Sequence, residues 1–387
     1  MADEKTPKKR KRRLIGIIGS LISLAVLTYI AVILITGRDF DLTWLTNMFS
    51  TREQVTMADE YHFEVGRDRV FADLGGSIAA AGSLGVQVLD IGGGEAFSDP
   101  FRMSRPAIGS AGGRAIAYDI GGLAVRVFDE TRILASIEAD APVVSASINR
   151  NGWFCVCTQG VGGYRGFATV YNNKGNAVYS VSLSSGHILS AVLSPDNGSL
   201  AVLNLTDDSS RITFYNDLKS ETPDSAFDLT GWLILDIWYP PEGDLVAIST
   251  KSLISVNKSG VGRELYNFSG RRLGAYTFGA DFYALHLLDY GVGYGGQLVT
   301  LDSEGTLLGE VPTDRELISM SSGGGYLAVL RNDGFSFFDA ALDEIPSSSA
   351  NRVSNSGASR ILALENGAAL ATGEHLAVVL RAAVAAD

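Results

Sequence analysis

The chain has 387 residues, 46% of them apolar, with 44 glycines, 10 prolines and 2 cysteines. Such a composition supplies a large core and many tight turns, and it excludes a disulfide framework. The thirteen-residue amino-terminal tail carries +5 against −12 for the whole chain, so the body stands at −17. A body that acidic repels phosphate backbones and anionic lipid, which argues against nucleic acid as its partner.

The first element is "KKRKRR", Lys8 to Arg13, running directly into "LIGIIGSLISLAVLTYIAVILIT", Leu14 to Thr36. These 23 uncharged residues would extend about 35 Å as a helix, enough for a hydrocarbon core of about 30 Å. Basic residues before the span, and Asp39 and Asp41 after it, orient the tail to the cytoplasm. A cleaved signal peptide would need a small-x-small site that "LITGRDFD" does not offer. The expectation is a cytoplasmic tail over 1–13, one uncleaved transmembrane helix over 14–36 that makes the membrane the first partner, and a connector over 37–60. In the connector Leu42, Trp44, Leu45, Met48 and Phe49 form a helix-like apolar side. Trp44 suits either the membrane interface or a short helix packed on the domain.

Two signals then alternate down the rest of the chain. The first is a glycine turn followed by a short apolar run, as in "GSLAVLN" from Gly198 and "GYLAVLR" from Gly325, and it recurs eight times from Gly76 to Gly367. The second is an alternating run ending in Asp or Asn: "VQVLD" to Asp90, "VRVFD" to Asp129, "ATVYN" to Asn172, "ITFYN" to Asn216, "LISVN" to Asn257, "LVTLD" to Asp302 and "FSFFD" to Asp339, with a degenerate "AVVLR" to Arg381. The order of the two never changes, which marks a repeat. Each unit parses as four strands, because β-branched and aromatic residues alternate with period two between Gly, Asn and Asp punctuation. An Asp or Asn closing the third strand suits a turn in which its side chain takes backbone amides two residues on.

A four-stranded unit cannot bury both its faces alone; stacked radially, the units cover one another. The predicted fold is therefore all-β: a β-propeller of about eight four-stranded blades over 61–387, seven being possible if the first unit, around "SIAAAG", is distorted. The last unit supplies three strands, and "YHFEV", Tyr61 to Val65, is expected to provide its fourth and close the ring.

The turn Ser194-Pro195-Asp196-Asn197-Gly198 before an apolar strand resembles the signature of WD40-like and related bacterial propellers, although the Trp-Asp dipeptide is absent. Together with the amino-terminal span, the stretch Val170 to Leu203 resembles a family of single-pass bacterial membrane proteins of unknown function. That resemblance implies a bacterial cytoplasmic membrane with the propeller outside, and it carries over no catalytic or ligand residue.

Signs of chemistry are few. His62, His187, His286 and His375 have no metal-ligand spacing, and neither a G-x-S-x-G elbow nor a phosphate-binding glycine loop is present. "SPDNGSLA" departs from a sialidase box where Ala201 replaces its Trp, and Asp207 with Asp208 make a poor calcium loop. No cofactor is implied. Three residues stand out as candidate ligand or partner contacts. Asp236 interrupts the apolar "LILDIWY" of a channel-lining strand and could meet a cation or polar ligand there. Trp238 and Tyr239, beside Pro240 and Pro241, could anchor a partner if exposed and would otherwise pack in the core. The leading expectation is a membrane-tethered, non-catalytic platform for an envelope protein or polymer. The alternatives are a cell-envelope glycan-processing enzyme using Asp236, and a ligand-sensing ectodomain.

Overall fold

The structure, a computed structural model, describes residues 60–291, 293–346, 357–373 and 377–381. The tail, the apolar segment 14–36 and the connector up to residue 59 lie outside the described residues, as does His375. Among the described residues no helix is long and apolar enough to cross a membrane. Regular structure there is β throughout, in eight antiparallel sheets that follow one another along the chain.

The sheets span 70–100, 106–138, 143–183, 187–230, 234–267, 272–313, 317–345 and 360–381, and are called blades 1 to 8 in that order. Blades 1 to 7 have four strands each, hydrogen-bonded in sequence order. Blade 8 has three among the described residues, Arg360–Ala363, Ala368–Thr372 and Ala377–Arg381. The first strand of a blade adjoins the first strand of the next around most of the ring, and that of blade 8 adjoins that of blade 1. The first strands are thus innermost. The unit around "SIAAAG" forms a complete sheet, so the count is eight rather than seven.

Why the blades need one another is visible in the second strands. In Leu200–Leu205 of blade 4, Leu200 and Val202 join the cluster shared with blade 3, whereas Ala201 and Leu203 join the one shared with blade 5. In Leu245–Ser249 of blade 5, Leu245 and Ala247 turn back to blade 4, and Val246 and Ile248 turn on to blade 6. Period-two alternation here separates two apolar faces, not an inside from an outside. Eight such clusters occur, one at each blade interface, and the one between blades 8 and 1 includes Tyr61, Phe63 and Val65. Burying each large apolar side chain contributes roughly 1.5–3 kcal/mol, which a lone blade would forgo on both faces.

At the seam Glu60 bridges Val378 in antiparallel fashion, and Tyr61 N donates to Ala377 O at 2.9 Å. The inner strands are latched as well, by Glu365 N donating to Asp73 Oδ2 at 2.8 Å.

The Asp or Asn at the end of a third strand organises the turn that follows. Asp302 Oδ1 accepts the amides of Glu304 at 2.9 Å and Thr306 at 2.7 Å; Asp90, Asn172, Asn257 and Asp339 accept amides two and four residues on in the same way. Asn216 departs from this pattern because its loop is longer: it accepts from Ser199 Oγ and donates to Lys258 O of the next blade.

Candidate functional site

Because every blade runs in the same order, its turns fall on two faces. One face, here the upper, carries the turns from second to third strands and the links between blades. The lower face carries the turns from first to second and from third to fourth strands. The chain runs upward at the seam, since Tyr61 OH donates to Ile91 O in a lower turn and Val65 O accepts Leu84 N in an upper one.

Exposed large apolar side chains are sorted by these faces. Leu84, Leu123, Val161, Tyr164, Trp232, Leu233, Tyr290 and Tyr294 all lie in upper turns or links, with Tyr290 81% exposed. Leu235 and Ile318 lie on inner strands near the same face. Among the described residues Val261 is the member of this class found in a lower turn, and Val178, Leu307 and Leu308 lie at the lower ends of outer strands. Burial cannot explain the upper group, so its apolar surface is left over after folding.

A repeated backbone device shapes the upper rim of the channel. In blades 3 to 7 the register of the inner strand slips by one residue at the same place, adding Val144, Leu189, Leu235, Gly274 and Ile318 respectively. A bulge of this kind sets one residue outside the ladder and re-aims it. Four of the five added residues are apolar, and Leu235 and Ile318 are more than two-fifths exposed. Trp232 stands just before one bulge and is covered on one side by Lys251, whose Nζ lies 4.9 Å from the ring centre.

Charge is divided between the faces too. Upper turns and links carry charges of both signs, among them the ion pairs of Arg271 with Asp289 at 3.0 Å and of Arg315 with Asp333. Lower turns are acidic: Glu130, Asp196, Glu221, Glu242, Asp281 and Asp343 all lie there.

The residues singled out from sequence take different places. Asp236 sits between the inner strands of blades 5 and 6, where its Oδ1 accepts Ile237 N at 2.8 Å and its Oδ2 accepts Tyr276 OH at 3.2 Å. Burial pushes its carboxyl above the usual range, partly offset by those two hydrogen bonds. Trp238 stacks on Phe278 at 5.6 Å and meets Tyr283 edge-on at 6.0 Å, inside the cluster between blades 5 and 6. Tyr239 is half-buried in the cluster between blades 4 and 5. Neither aromatic is among the exposed large apolar residues; each is partly buried against a blade interface. Among the described residues no group of three or more His, Cys, Asp or Glu could hold a metal ion.

The turn "SPDNG" is held from within and by both neighbouring blades, since Asn149 and Asn151 of blade 3 donate to Asn197 Oδ1 and Pro195 O, each at 2.6 Å, and Lys258 of blade 5 pairs with Asp196 at 3.3 Å. Ser194 Oγ donates to Asp196 Oδ1 at 2.5 Å, Gly198 N donates to the same oxygen at 3.0 Å, and Ser199 N donates to Ser194 Oγ at 2.9 Å. The Ser194 hydroxyl, with the Gly198 amide and Lys258 behind it, holds Asp196 down at about 2. These groups satisfy one another and leave a structural turn.

The upper apolar group was not anticipated from sequence. Its signal is an aromatic placed between glycines or at a turn, as in "DYGVGYGG" and "TGWLIL". Such a residue cannot be assigned to a face until the strand order is known.

Solved structures confirm the architecture. BamB from Moraxella catarrhalis is 16% identical, with 84% of this chain and 99% of that one covered at a TM-score of 0.51. The carboxy-terminal WD40 domain of Sif2 is 12% identical over 84% of this chain and 97% of that one, at a TM-score of 0.59. A eukaryotic initiation factor structure is 12% identical over 82% and 84%, at 0.52. At such identities the likeness establishes the β-propeller fold alone. No curated protein matches the chain. A family of unknown function, DUF5711, matches residues 49–341, and the chain belongs to that family.

Proposed function

We propose that the protein is a membrane-tethered, non-catalytic propeller, held outside a bacterial cytoplasmic membrane, whose upper face docks an envelope protein. The observation that carries this reading is the gathering of Tyr164, Trp232, Tyr290 and Tyr294 on one face while the opposite face is acidic. Exposed aromatic residues are side chains that anchor protein interfaces.

Charge favours a protein over an anionic bilayer as the occupant: the body as a whole stands at −17, which repels anionic lipid, and the upper face pairs basic residues with acidic ones, as Arg271 with Asp289.

The test replaces Trp232 and Tyr290 together by Asp in the full chain in its native membrane, with Val261→Asp as control. The expected result is loss of the chain's cross-linked hetero-complex in the double variant alone, at unchanged protein level. A complex that survives the double variant overturns the reading.

A further inference from the structure

The inner strands do not all meet the channel mouth alike. In blades 3 to 7 each carries an added residue near its upper end, whereas those of blades 8, 1 and 2 keep an unbroken register with their partners. A bulge sets a residue outside its ladder, so the mouth is crowded along five blades and not along the other three. At those three lies a cleft of about 620 Å³, whose walls include Val70, Phe71, Ile108, Arg360, Leu362 and Thr372. All but Thr372 stand within the first three residues of an inner strand, and Thr372 ends the second strand of blade 8, so the cleft opens at the upper end.

The cleft is amphiphilic. Val70, Phe71, Ile108 and Leu362 are only partly buried against the clusters on either side of blade 1, and they leave apolar surface to the cleft. Arg360 is exposed there and makes no hydrogen bond or ion pair among the described residues. It lies on the same side of its strand as Leu362, which faces blade 1. Thr372 is 4% exposed, yet its hydroxyl has no hydrogen-bond partner among the described residues. Unlike the unpartnered hydroxyls of Ser145 and Ser190 on blades 3 and 4, it is not sealed from solvent. A buried hydroxyl without a partner is uncommon, and this one borders a space that a ligand can enter. Arg69, on the link into blade 1, donates to Gly373 O at 3.4 Å, one residue beyond Thr372, which brings a second guanidinium to the same rim.

A guanidinium fork and a hydroxyl present their donors to one anionic group, and the walls beneath offer apolar contact. Inorganic phosphate would meet the donors and leave the apolar wall uncovered. A plain hydrocarbon would leave the guanidinium unmatched. A carboxylate on an apolar body meets both.

We infer that this cleft binds a carboxylate carrying a short apolar group, either a free acid or the last residue of a protein chain. The site does not rest on the docking proposal, whose aromatic residues belong to blades 3 to 6 and their links.

The test follows ligand signals by saturation-transfer NMR with the full chain in detergent micelles, against empty micelles as reference. The probes are hexanoate, hexylammonium, inorganic phosphate and a tetrapeptide ending in leucine, the last both as free acid and as amide. Saturable binding of hexanoate or of the peptide acid is expected, with none of hexylammonium, phosphate or the amide. Tighter binding of the peptide acid assigns the site to a chain end, and tighter binding of hexanoate assigns it to a free acid. Arg360→Gln should weaken binding about tenfold, as loss of a hydrogen bond to a charged group does, at an unchanged melting temperature. Thr372→Val, nearly the same shape without the hydroxyl, should weaken it by a smaller factor. Arg165→Gln, at an exposed arginine in an upper turn of blade 3, should not weaken it. No saturable binding of either acid, equal binding of hexylammonium, phosphate or the amide, unchanged affinity in Arg360→Gln, or an equal loss in Arg165→Gln would each overturn the assignment.

Discussion

Tyr61 stands to Ile91 as Tyr179 stands to Ser220. In each pair a tyrosine hydroxyl donates to a backbone carbonyl in a lower turn of the following blade, at 2.9 Å and 2.5 Å respectively. Tyr179 belongs to the outer strand of blade 3, Ala177–Leu183. Tyr61 therefore occupies an outer-strand position in blade 8, although it comes before blade 1 in the chain. The expected fourth strand over Tyr61 to Val65 is not formed: the segment meets the last strand of blade 8 through one isolated bridge, Glu60 with Val378, and the Tyr61 amide, and its side chains fill the interface with blade 1.

Removing residues 58–66 should open that joint. Tyr61, Phe63 and Val65 are all at least nine-tenths buried, and their loss forfeits several kcal/mol of apolar burial. The melting temperature of the purified protein should fall by roughly 10 °C or more. Tyr61→Phe, which removes the hydroxyl alone, should cost only about 1 kcal/mol. A melting curve unaffected by the deletion would show that the seam does not bear on stability.

Gly305 is expected to be intolerant of any side chain. Its φ is +85°, and a Cβ would lie 2.6 Å from Leu265 O, on the outer strand of the neighbouring blade. Gly305→Ala should destabilise by roughly 1–3 kcal/mol in chemical denaturation. Gly162 also has positive φ but faces open space, so Gly162→Ala should cost less, roughly 1 kcal/mol. Equal effects at the two positions would show that the contact with the adjacent blade is unimportant.

Asp236 and His286 should give the stability profile opposite slopes. Burial raises the carboxyl of Asp236, so its contribution is fully present below the unfolded pKa and is lost as pH rises through the folded one. Asp236→Asn removes the charge, keeps one oxygen to accept Ile237 N and offers its amide N–H to the Tyr276 hydroxyl oxygen; it should raise the melting temperature at neutral pH while leaving it nearly unchanged in acid. A neutral-pH loss in that variant would mean the charge itself is used, as a glycan-processing site would require.

His286 is 3% exposed, and burial alone lowers its pKa. Its contribution is present above the unfolded value of about 6.5 and is lost as pH falls through the folded value. His286→Gln retains a hydrogen bond to Thr313, now 3.2 Å from Nε2, and should flatten the melting curve's decline below about pH 6.5. A variant that keeps the full acid slope places that titration elsewhere.

Cys155 and Cys157 should be inert. Both are fully buried free thiols on one strand, and mutual contact together with burial holds the Cys155 thiol well above its ordinary value. A colourless reaction with a thiol reagent under native conditions, and two equivalents after denaturation, are the expected readings. Native reactivity would show that blades 3 and 4 part in solution.

What could be read from sequence was what is encoded locally. Asp302 caps a turn made from its own next four residues, so a motif search finds it. Each second strand carries apolar residues on both faces because it separates two neighbours, and the blade count follows from that recurrence. Trp238 illustrates the limit. Next to Pro240 and Pro241 it reads as core more readily than surface, and the ring of Phe278, forty residues on, shows what it packs against. The upper aromatic group needed the strand order, which alone places Tyr164 and Tyr290 on one face.

The most direct test of face-specific docking is site-specific photocrosslinking in living cells. A photoreactive residue is placed in turn at Tyr164, Trp232 and Tyr290 above, and at Glu130, Val261 and Asp343 below. Discrete adducts with one other protein from the upper positions, and none from the lower, is the predicted result. Adducts to lipid, to a second copy of the chain, or equally from both faces would contradict it.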